Sequence, residues 1–577
     1  MIKLLRFLKG SAITCAILAP ITMCLEVAMD LLQPTLLSKI IDTGVANGDL
    51  NYVIYIGIQM IIAAIVGLIA GSACSYFAAV ASMNLGQEVR QGLFDKIQTL
   101  SFVELDKLKT SSLITRLTND VTQLQMMMNM ALRMMVRAPL TAIGGIIMAA
   151  ILSPKLSTIF LIAIPIIAIS VLFILKKSLP LFTSVQQKID NVNTVMRESI
   201  LGVKVVKAFA IENTQKNRFS TSNEELTNIS IKSQNMNLIL WPIATLIMNL
   251  TVVAVLWFGG NMVNVGTLEI GKIVAFINYL LQIMGSVVMV INIMIGYSRA
   301  KASATRINEV FETETSIKDK ENTKTIENFD IEFKNVSFRY NEHSENVLEN
   351  ISFTAKQGET IGIIGSTGCG KSSFVNLIPR LYDVTEGEIL IGGTNIKDIA
   401  LNQLRDNIGI VLQESILFSG TIESNIRFGN ENASNEMMVD SSVNAQAYEF
   451  ISNKEDKFKS EVEQRAKNLS GGQKQRLSIA RTLIRNPKIF IMDDSSSALD
   501  MATEAKLQNS IKETMKDSTV MVIAQRISGV MDADKIIVMD DGKIANIGTH
   551  KELLKNSEIY RSIAISQMGE EVLNLVK

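Results

Sequence analysis

Charged residues and cysteine are both scarce in this sequence, and each shortage removes a class of function. Asp, Glu, Lys and Arg make up only 19% of the chain, with 56 bases against 56 acids. A net charge of zero gives no electrostatic basis for nucleic-acid binding. The four cysteines, Cys15, Cys24, Cys74 and Cys369, show neither disulfide nor metal-ligand spacing. Three of them sit in apolar runs, where a buried reduced thiol is the plain reading.

Apolar residues fill the gap. They make up 48% of the chain, and mean hydropathy is +0.26. At 577 residues the chain is too long for one core, so at least two domains are expected. The uncharged runs lie almost entirely before residue 300. Six of them reach the length of about 20 residues that a hydrocarbon core requires: 11–36, 53–85, 130–153, 156–176, 236–263 and 272–298. Lys3, Arg6 and Lys9 before the first run resemble a signal peptide. Without a clear cleavage site and with further spans behind it, the run is read as a retained first helix.

Two long polar links, after the second and fourth runs, are rich in helix formers, so the helices are expected to continue past the bilayer. These links carry Arg90, Lys96, Lys107, Lys109, Arg116, Lys176, Lys177, Lys188, Lys204, Lys207 and Arg218. The short links carry little beyond Lys39, Lys155 and Lys272. The bias places the long links and both termini in the cytoplasm.

Charges inside a span are costly and usually face a cavity or a partner. The first span holds Glu26 and Asp30, four residues apart and therefore on one helix face. They are candidates for substrate contact or gating, against pairing across helices or placement near the outer headgroups. Met126, Met127, Met128, Met130, Met134 and Met135 gather at the start of the third span. Methionine suits an adaptable binding surface, and it equally suits packing.

After Arg299 the pattern becomes that of a soluble α/β domain. Ile331–Tyr340 and Glu359–Ile364 read as strands. The second runs straight into Gly365-Ser366-Thr367-Gly368-Cys369-Gly370-Lys371-Ser372, with Ser373 following. This is a G-x-x-x-x-G-K-S phosphate loop between an apolar strand and a helix. Its glycines let backbone N–H groups close around phosphate, and the helix N-terminus adds favourable partial charge. Lys371 would reach the outer phosphates and Ser372 would ligate Mg²⁺. A second apolar strand, Lys488–Met492, ends in Asp493, a carboxylate suited to hold Mg²⁺ through water.

Between the two strands lies Leu469-Ser470-Gly471-Gly472-Gln473, and here the chain resembles ABC ATPases, whose signature this is. The resemblance covers essentially the whole chain, because six helices ahead of one such domain is the half-transporter layout of ABC exporters. It implies that Tyr340 stacks on adenine and that Gln413 is the glutamine that senses Mg²⁺ and the membrane domain. Ser497-Ala498-Leu499-Asp500 matches the D-loop. It further implies a dimer in which each ATP lies between one chain's phosphate loop and the other's signature. Ser470, Gly471, Gly472 and Gln473 would then serve the partner's ATP. Thr110–Val121, with Arg116, Asn119 and Asp120, resembles the first coupling region, and Val205–Phe219 the second.

Two positions depart from the family pattern. The residue after Asp493 is normally a glutamate that polarises the attacking water, and here it is Asp494. One methylene less retracts the carboxylate by about 1.5 Å, a misplacement that can cost about a hundredfold in rate. The switch histidine is replaced by Gln525, and the only histidines, His343 and His550, lie elsewhere. An amide can donate a hydrogen bond but cannot carry a proton or charge at neutral pH. The stretch Ser460–Ala466 also differs from the usual Thr-Glu-Val-Gly-Glu-Arg-Gly.

The expectation is an all-α six-helix transmembrane domain (residues 1–310), a linker (311–330) and an α/β P-loop ABC ATPase domain (331–577). ATP and Mg²⁺ are the implied cofactors. The chain resembles the degenerate-site subunit of a heterodimeric bacterial exporter of lipophilic compounds, paired in the plasma membrane with a non-identical half-transporter that carries the competent site. A specific lipid or peptide exporter, a homodimer with sluggish sites and a non-transporting regulator are the alternatives. The absence of a peptidase domain ahead of the first span favours small lipophilic substrates.

Overall fold

The computed structural model describes residues 2–320, 323–341, 343–495 and 498–569. The chain divides into two compact units, Met1–Gln98 with Thr110–Thr313, and Thr99–Lys109 with Glu314–Lys577.

The first unit is helical. Its helices, with α3 (Phe102–Leu108) belonging to the second unit, are α1 (Ser11–Lys39), α2 (Leu50–Gln98), α4 (Thr110–Thr115), α5 (Val121–Leu152), α6 (Pro154–Leu201), α7 (Val203–Ala208), α8 (Glu212–Leu238), α9 (Leu240–Asn264) and α10 (Ile270–Glu312). Among the described residues five helical stretches are long and apolar enough to cross a membrane. They are Ser11–Val45, Leu50–Gln98, Thr110–Leu152, Pro242–Asn264 and Ile270–Val290. The remaining expected span appears as the shorter apolar stretch Pro154–Ile167 at the start of α6. As the polar links suggested, α2 and α6 run well beyond bilayer length, at 49 and 48 residues, and α10, which borders neither link, does so too, at 43.

Small residues let these helices approach closely where lipid offers no hydrophobic drive. Ala19 and Met23 of α1 meet Cys74, Ala78 and Ala81 of α2 in one buried cluster. A second cluster is built around Tyr279 of α10 and the stacked pair Phe160–Phe276, whose ring centroids are 4.7 Å apart. Ile17, Ile21, Leu68, Ile69, Leu161 and Trp257 stay largely exposed, as lipid-facing side chains do.

One expectation is corrected. Thr110–Val121 was expected as the first coupling region, but it is the entry to the third long helix within the first unit. Arg116 and Asp120 are buried there. Arg116 donates to the Arg306 carbonyl at 2.7 Å and pairs with Glu309 at 2.8 Å. Asp120 accepts from Ser303 at 2.8 Å and from Arg306 Nε at 2.7 Å. These charges are satisfied inside their own unit. The stretch that groups with the ATPase unit is Thr99–Lys109. There Ser101 and Glu104 form a capping box that starts α3, and Lys109, at φ 61°, ends it. The second expected region, Val205–Phe219, contains the end of α7 and the start of α8, with no residue of α7 buried.

Among its described residues the second unit holds twelve strands: β1 (Ile331–Phe338), β2 (Leu348–Ala355), β3 (Thr360–Gly365), β4 (Glu386–Ile391), β5 (Thr394–Asn395), β6 (Ile408–Val411), β7 (Gly420–Thr421), β8 (Glu461–Val462), β9 (Ile489–Asp493), β10 (Thr519–Ile523), β11 (Lys535–Asp540) and β12 (Lys543–Gly548). One sheet runs β2-β1-β4-β5 and is antiparallel. The other runs β12-β11-β3-β10-β9-β6, parallel except for its β12 edge. A parallel sheet is covered on both faces, so its strands are near-continuous apolar runs. β9 accordingly is buried at every position. Register then places the site: Ile523 of β10 lies level with Ile363 of β3 and Asp493 of β9. The phosphate loop, Asp493-Asp494 and Gln525 therefore leave three adjacent strands at the same edge, the carboxyl edge where α/β sheets bind ligands.

Candidate functional site

The phosphate loop follows β3 and leads into the helix Lys371–Asn376. Two of its glycines are required by geometry. A Cβ on Gly365 would lie 2.2 Å from the Met539 carbonyl oxygen. Gly370, at φ +94°, would put one 2.9 Å from the Val347 carbonyl oxygen. Lys371 folds its ammonium over the loop, donating to the carbonyls of Gly365 at 2.9 Å and Ser366 at 2.7 Å. Ser372 Oγ donates to Asp493 Oδ1 at 3.0 Å. Thus a hydroxyl and a carboxylate, separated by 121 residues in sequence, meet below a loop of backbone N–H groups. A cavity of about 210 Å³ opens over them, lined also by Thr367, Gly368, Gln413 and Gln525. This donor set fits a magnesium-bound triphosphate: N–H groups and an ammonium for the phosphates, oxygen donors for the metal.

Asp494 lies at the edge of this cavity with φ +47°, a left-handed conformation that Asp tolerates better than most residues. Its backbone N–H donates to Ile523 O at 3.0 Å. Its carboxylate accepts from Gln525 Nε2 at 2.5 Å and from Gln413 Nε2 at 3.3 Å. Burial raises the affinity of Asp494 for a proton, against the opposing pull of these amides. Asp493 is raised likewise, first by burial and also by the neighbouring Asp494 charge, while the Ser372 bond opposes the shift. The Gln525 carbonyl accepts from Gln567 Nε2 at 2.8 Å, and Gln567 Oε1 accepts from Ile527 N at 2.8 Å. Gln567 was not foreseen, because it reaches the site from a C-terminal helix (Glu558–Met568) that carries no motif.

Tyr340 is 39% exposed at the rim of β1, and its hydroxyl bonds Ser373 Oγ at 2.8 Å. Its ring stands edge-on to Tyr382, 5.2 Å between centroids, and Tyr382 in turn lies 6.1 Å from Phe102 of α3. The Tyr382 hydroxyl donates to Asp106 at 2.8 Å. Burial and the Asp106 carboxylate push the Tyr382 phenol far up, so it stays a donor. Tyr382 was also missed. Only the fold brings this residue, six positions past the phosphate-loop helix, against Tyr340 and α3.

The signature lies apart from this cavity. Ser470 caps the helix Gly471–Leu483 in a box with Gln473, whose side chain accepts from the Ser470 N–H at 3.0 Å. Ser470 and Gly471 are exposed, so the N-terminus of a 13-residue helix is presented outward, where it favours an anion. A Cβ on Gly472 would lie 3.1 Å from the Ala498 carbonyl oxygen. Of the expected D-loop, Ser497 lies outside the described residues. Asp500 caps the next helix, Met501–Thr514.

In the first unit Glu26 and Asp30 do share one face of α1, and a third residue joins them. Arg137 of α5 bonds Glu26 through Nη1 and Asp30 through Nη2, the latter at 2.8 Å. Gly71 of α2 makes room: a Cβ there would come within 2.9 Å of the Glu26 carboxyl group. Among the methionines Met127 is buried, whereas Met126, Met134 and Met135 are 40–56% exposed.

Known proteins place this arrangement. Residues 16–287 match the ABC transporter transmembrane region and residues 348–497 the ABC transporter ATPase family. An uncharacterised ABC transporter ATP-binding protein of Bacillus subtilis, YfiB, is 42% identical over 99% of both chains. A Mycobacterium tuberculosis relative, Rv1273c, is 36% identical over 92% of each. Another Bacillus subtilis relative, YgaD, whose name contains the words multidrug export, is 35% identical over 85% of this chain and 84% of its own. The fold is that of a bacterial Atm1-family ABC exporter solved with ATP bound, with a TM-score of 0.81, 24% identity, and 97% and 100% of the two chains covered. The chain belongs to the ABC transporter family and carries its transmembrane region and its ATPase domain on one polypeptide.

Proposed function

We propose that the chain is one half of a heterodimeric bacterial exporter that moves lipophilic compounds across the plasma membrane by alternating access, with both termini in the cytoplasm. Its own site would bind MgATP and hydrolyse it poorly. Lys371 and the loop N–H groups would hold the phosphates, Tyr340 the adenine, and Ser372 with Asp493 and Gln413 the Mg²⁺, which supplies charge neutralisation at the phosphates. Ser470 to Gln473 would complete the competent site of a second, non-identical chain.

The observation that carries this reading is the hold on Asp494. A catalysing carboxylate must face an attacking water, but this one is a methylene short and accepts hydrogen bonds from two glutamine amides. Gln525 can orient that carboxylate but cannot take or pass a proton. ATP held in such a site keeps the two nucleotide domains together, and the partner's site resets the cycle. The lipophilic substrate class is supported by the apolar first unit and by the relative whose name includes multidrug export.

The test is steady-state ATPase activity of the purified chain in lipid, alone and co-purified with a second half-transporter. Negligible activity alone with robust, drug-stimulated activity in the pair is the expected result. Comparable activity from the chain alone would replace the heterodimer with a homodimer whose Asp494 and Gln525 support hydrolysis.

A further inference from the structure

The charged cluster between α1 and α5 borders a cavity of about 430 Å³ in the first unit. Asp30, Gln33, Arg137, Thr141, Gln282 and Ser286 supply its polar lining. Most of these groups already have partners. Gln33 Nε2 donates to Met60 O at 3.0 Å, and Ser286 Oγ to Ile283 O at 2.7 Å. Two acceptors stand out. Among the described residues Gln282 Oε1 is buried without a hydrogen-bond partner, so turning that amide toward a ligand breaks no bond they make to its oxygen. Among the described residues Asp30 accepts only at Oδ2, from Arg137, and its side chain is 44% exposed, against 16% for Glu26.

The open groups of the lining are acceptors. Glu26 and Asp30 share one guanidinium, which gives one nitrogen to each. Arg133, one helical turn away, does not line the cavity. Of the two carboxylates only Asp30 lines the cavity, with Arg137, and its Oδ1 and Gln282 Oε1 are the acceptors that the described lining leaves open. We infer that this cavity is a binding subsite for an amphiphilic organic cation with N–H donors, a primary ammonium on an apolar body. Its head would take the open side of Asp30 and the free oxygen of Gln282, and its apolar part would lie toward Met289 and Ala138. Arg137 acts as the built-in counter-ion that keeps the carboxylates tolerable when no cation is bound. The inference rests on the exporter reading above and specifies its substrate class.

The experiment compares three probes with one fluorophore and different heads. These are dansylcadaverine (ammonium), its N-acetyl derivative (neutral) and dansyl-aminohexanoate (carboxylate). Each is titrated against the full-length assembly in nanodiscs of zwitterionic lipid. The ammonium probe is expected to bind at least tenfold tighter than the neutral one, with the carboxylate probe weakest. Asp30→Asn, which leaves Arg137 its bond to Glu26, should erase the ammonium preference while the neutral probe's affinity holds. Gln282→Leu should weaken only the ammonium probe, about threefold. Equal binding of all three, no binding of any, or a preference for carboxylate would overturn the subsite. So would an ammonium preference that survives Asp30→Asn. ATP-driven accumulation of the probes in inverted vesicles separates this from the exporter reading. Accumulation without an ammonium preference removes the subsite and keeps export, and ammonium-selective binding without accumulation does the reverse.

Discussion

Each unit of this protein holds two carboxylates close together, and it restrains them in opposite ways. In the ATPase unit Asp493 and Asp494 accept from neutral groups, the Ser372 hydroxyl and the Gln413 and Gln525 amides. In the membrane unit Glu26 and Asp30 receive a guanidinium. Neutral donors aim a carboxylate without cancelling its charge, so Asp493 can still attract a divalent cation. A guanidinium cancels as it aims, which suits a region where uncompensated charge is costly. One pair is poised for a metal, and the other is guarded until a competitor arrives.

The largest expected effect tests the first half of that contrast. Asp493→Asn keeps the shape and the Ser372 contact but removes the charge. It should lower MgATP affinity on the order of 100-fold, while leaving ATP affinity in chelator little changed. Nucleotide titration with and without Mg²⁺ reads this. Equal losses in both conditions would mean that Asp493 acts through shape alone.

The next effect tests the second half. Arg137→Met leaves Glu26 and Asp30 facing each other without a counter-ion. It should destabilise the membrane unit by about 1–2 kcal/mol, after a discount for the half-exposed Asp30. Adding Glu26→Gln and Asp30→Asn to the same chain should restore most of the loss, because no charge then needs compensation. Thermal unfolding in detergent compares the two. If the triple variant is no better than the single one, Arg137 matters through packing rather than charge.

How much of this was legible beforehand depended on sequence distance. The phosphate loop, the signature and Asp493 were readable because each is a short run whose backbone makes the site, and the flanking strand or helix is adjacent in the chain. Glu26 and Asp30 were readable as a pair because they are one helical turn apart. Arg137 was not, because its partners are 107 and 111 residues away on another helix, and no local pattern links them. Gln567 and Tyr382 escaped for the same reason. The misplaced coupling stretch is a different lesson. Arg116 and Asp120 attracted notice as charges in a link, but they are ion-paired inside the first unit, while Ser101 and Glu104 just upstream carried the helix-start pattern that mattered.

A smaller effect concerns the amides on Asp494. Asp494→Glu with Gln525→His restores reach and a group that can carry a proton. With the partner's own catalysing carboxylate removed, the pair should turn over about tenfold faster than the same pair without the two changes. Single-turnover hydrolysis of radiolabelled ATP is the measurement. No gain would mean that these two residues are not what limits hydrolysis at this site.

The smallest effect comes from a third way of restraining a titratable group, chiefly by burial. His550 Nδ1 lies 2.7 Å from the Tyr560 hydroxyl, and among the described residues its Nε2 is buried without a partner. Burial holds the imidazole below its usual value of 6.5, with Asp532 opposing, and burial pushes the Tyr560 phenol up to about 12. Both groups are therefore kept neutral in the folded ATPase unit. The sign follows: the unfolded chain takes up the His550 proton more readily, so stability is full above pH 6.5 and falls as pH drops through the folded value. The Tyr560 contribution runs the other way and is lost only above pH 10. Thermal midpoints between pH 7.5 and 5 should fall with a slope that His550→Gln flattens. If the slope survives that substitution, the carboxylates rather than this buried pair govern the unit's acid sensitivity.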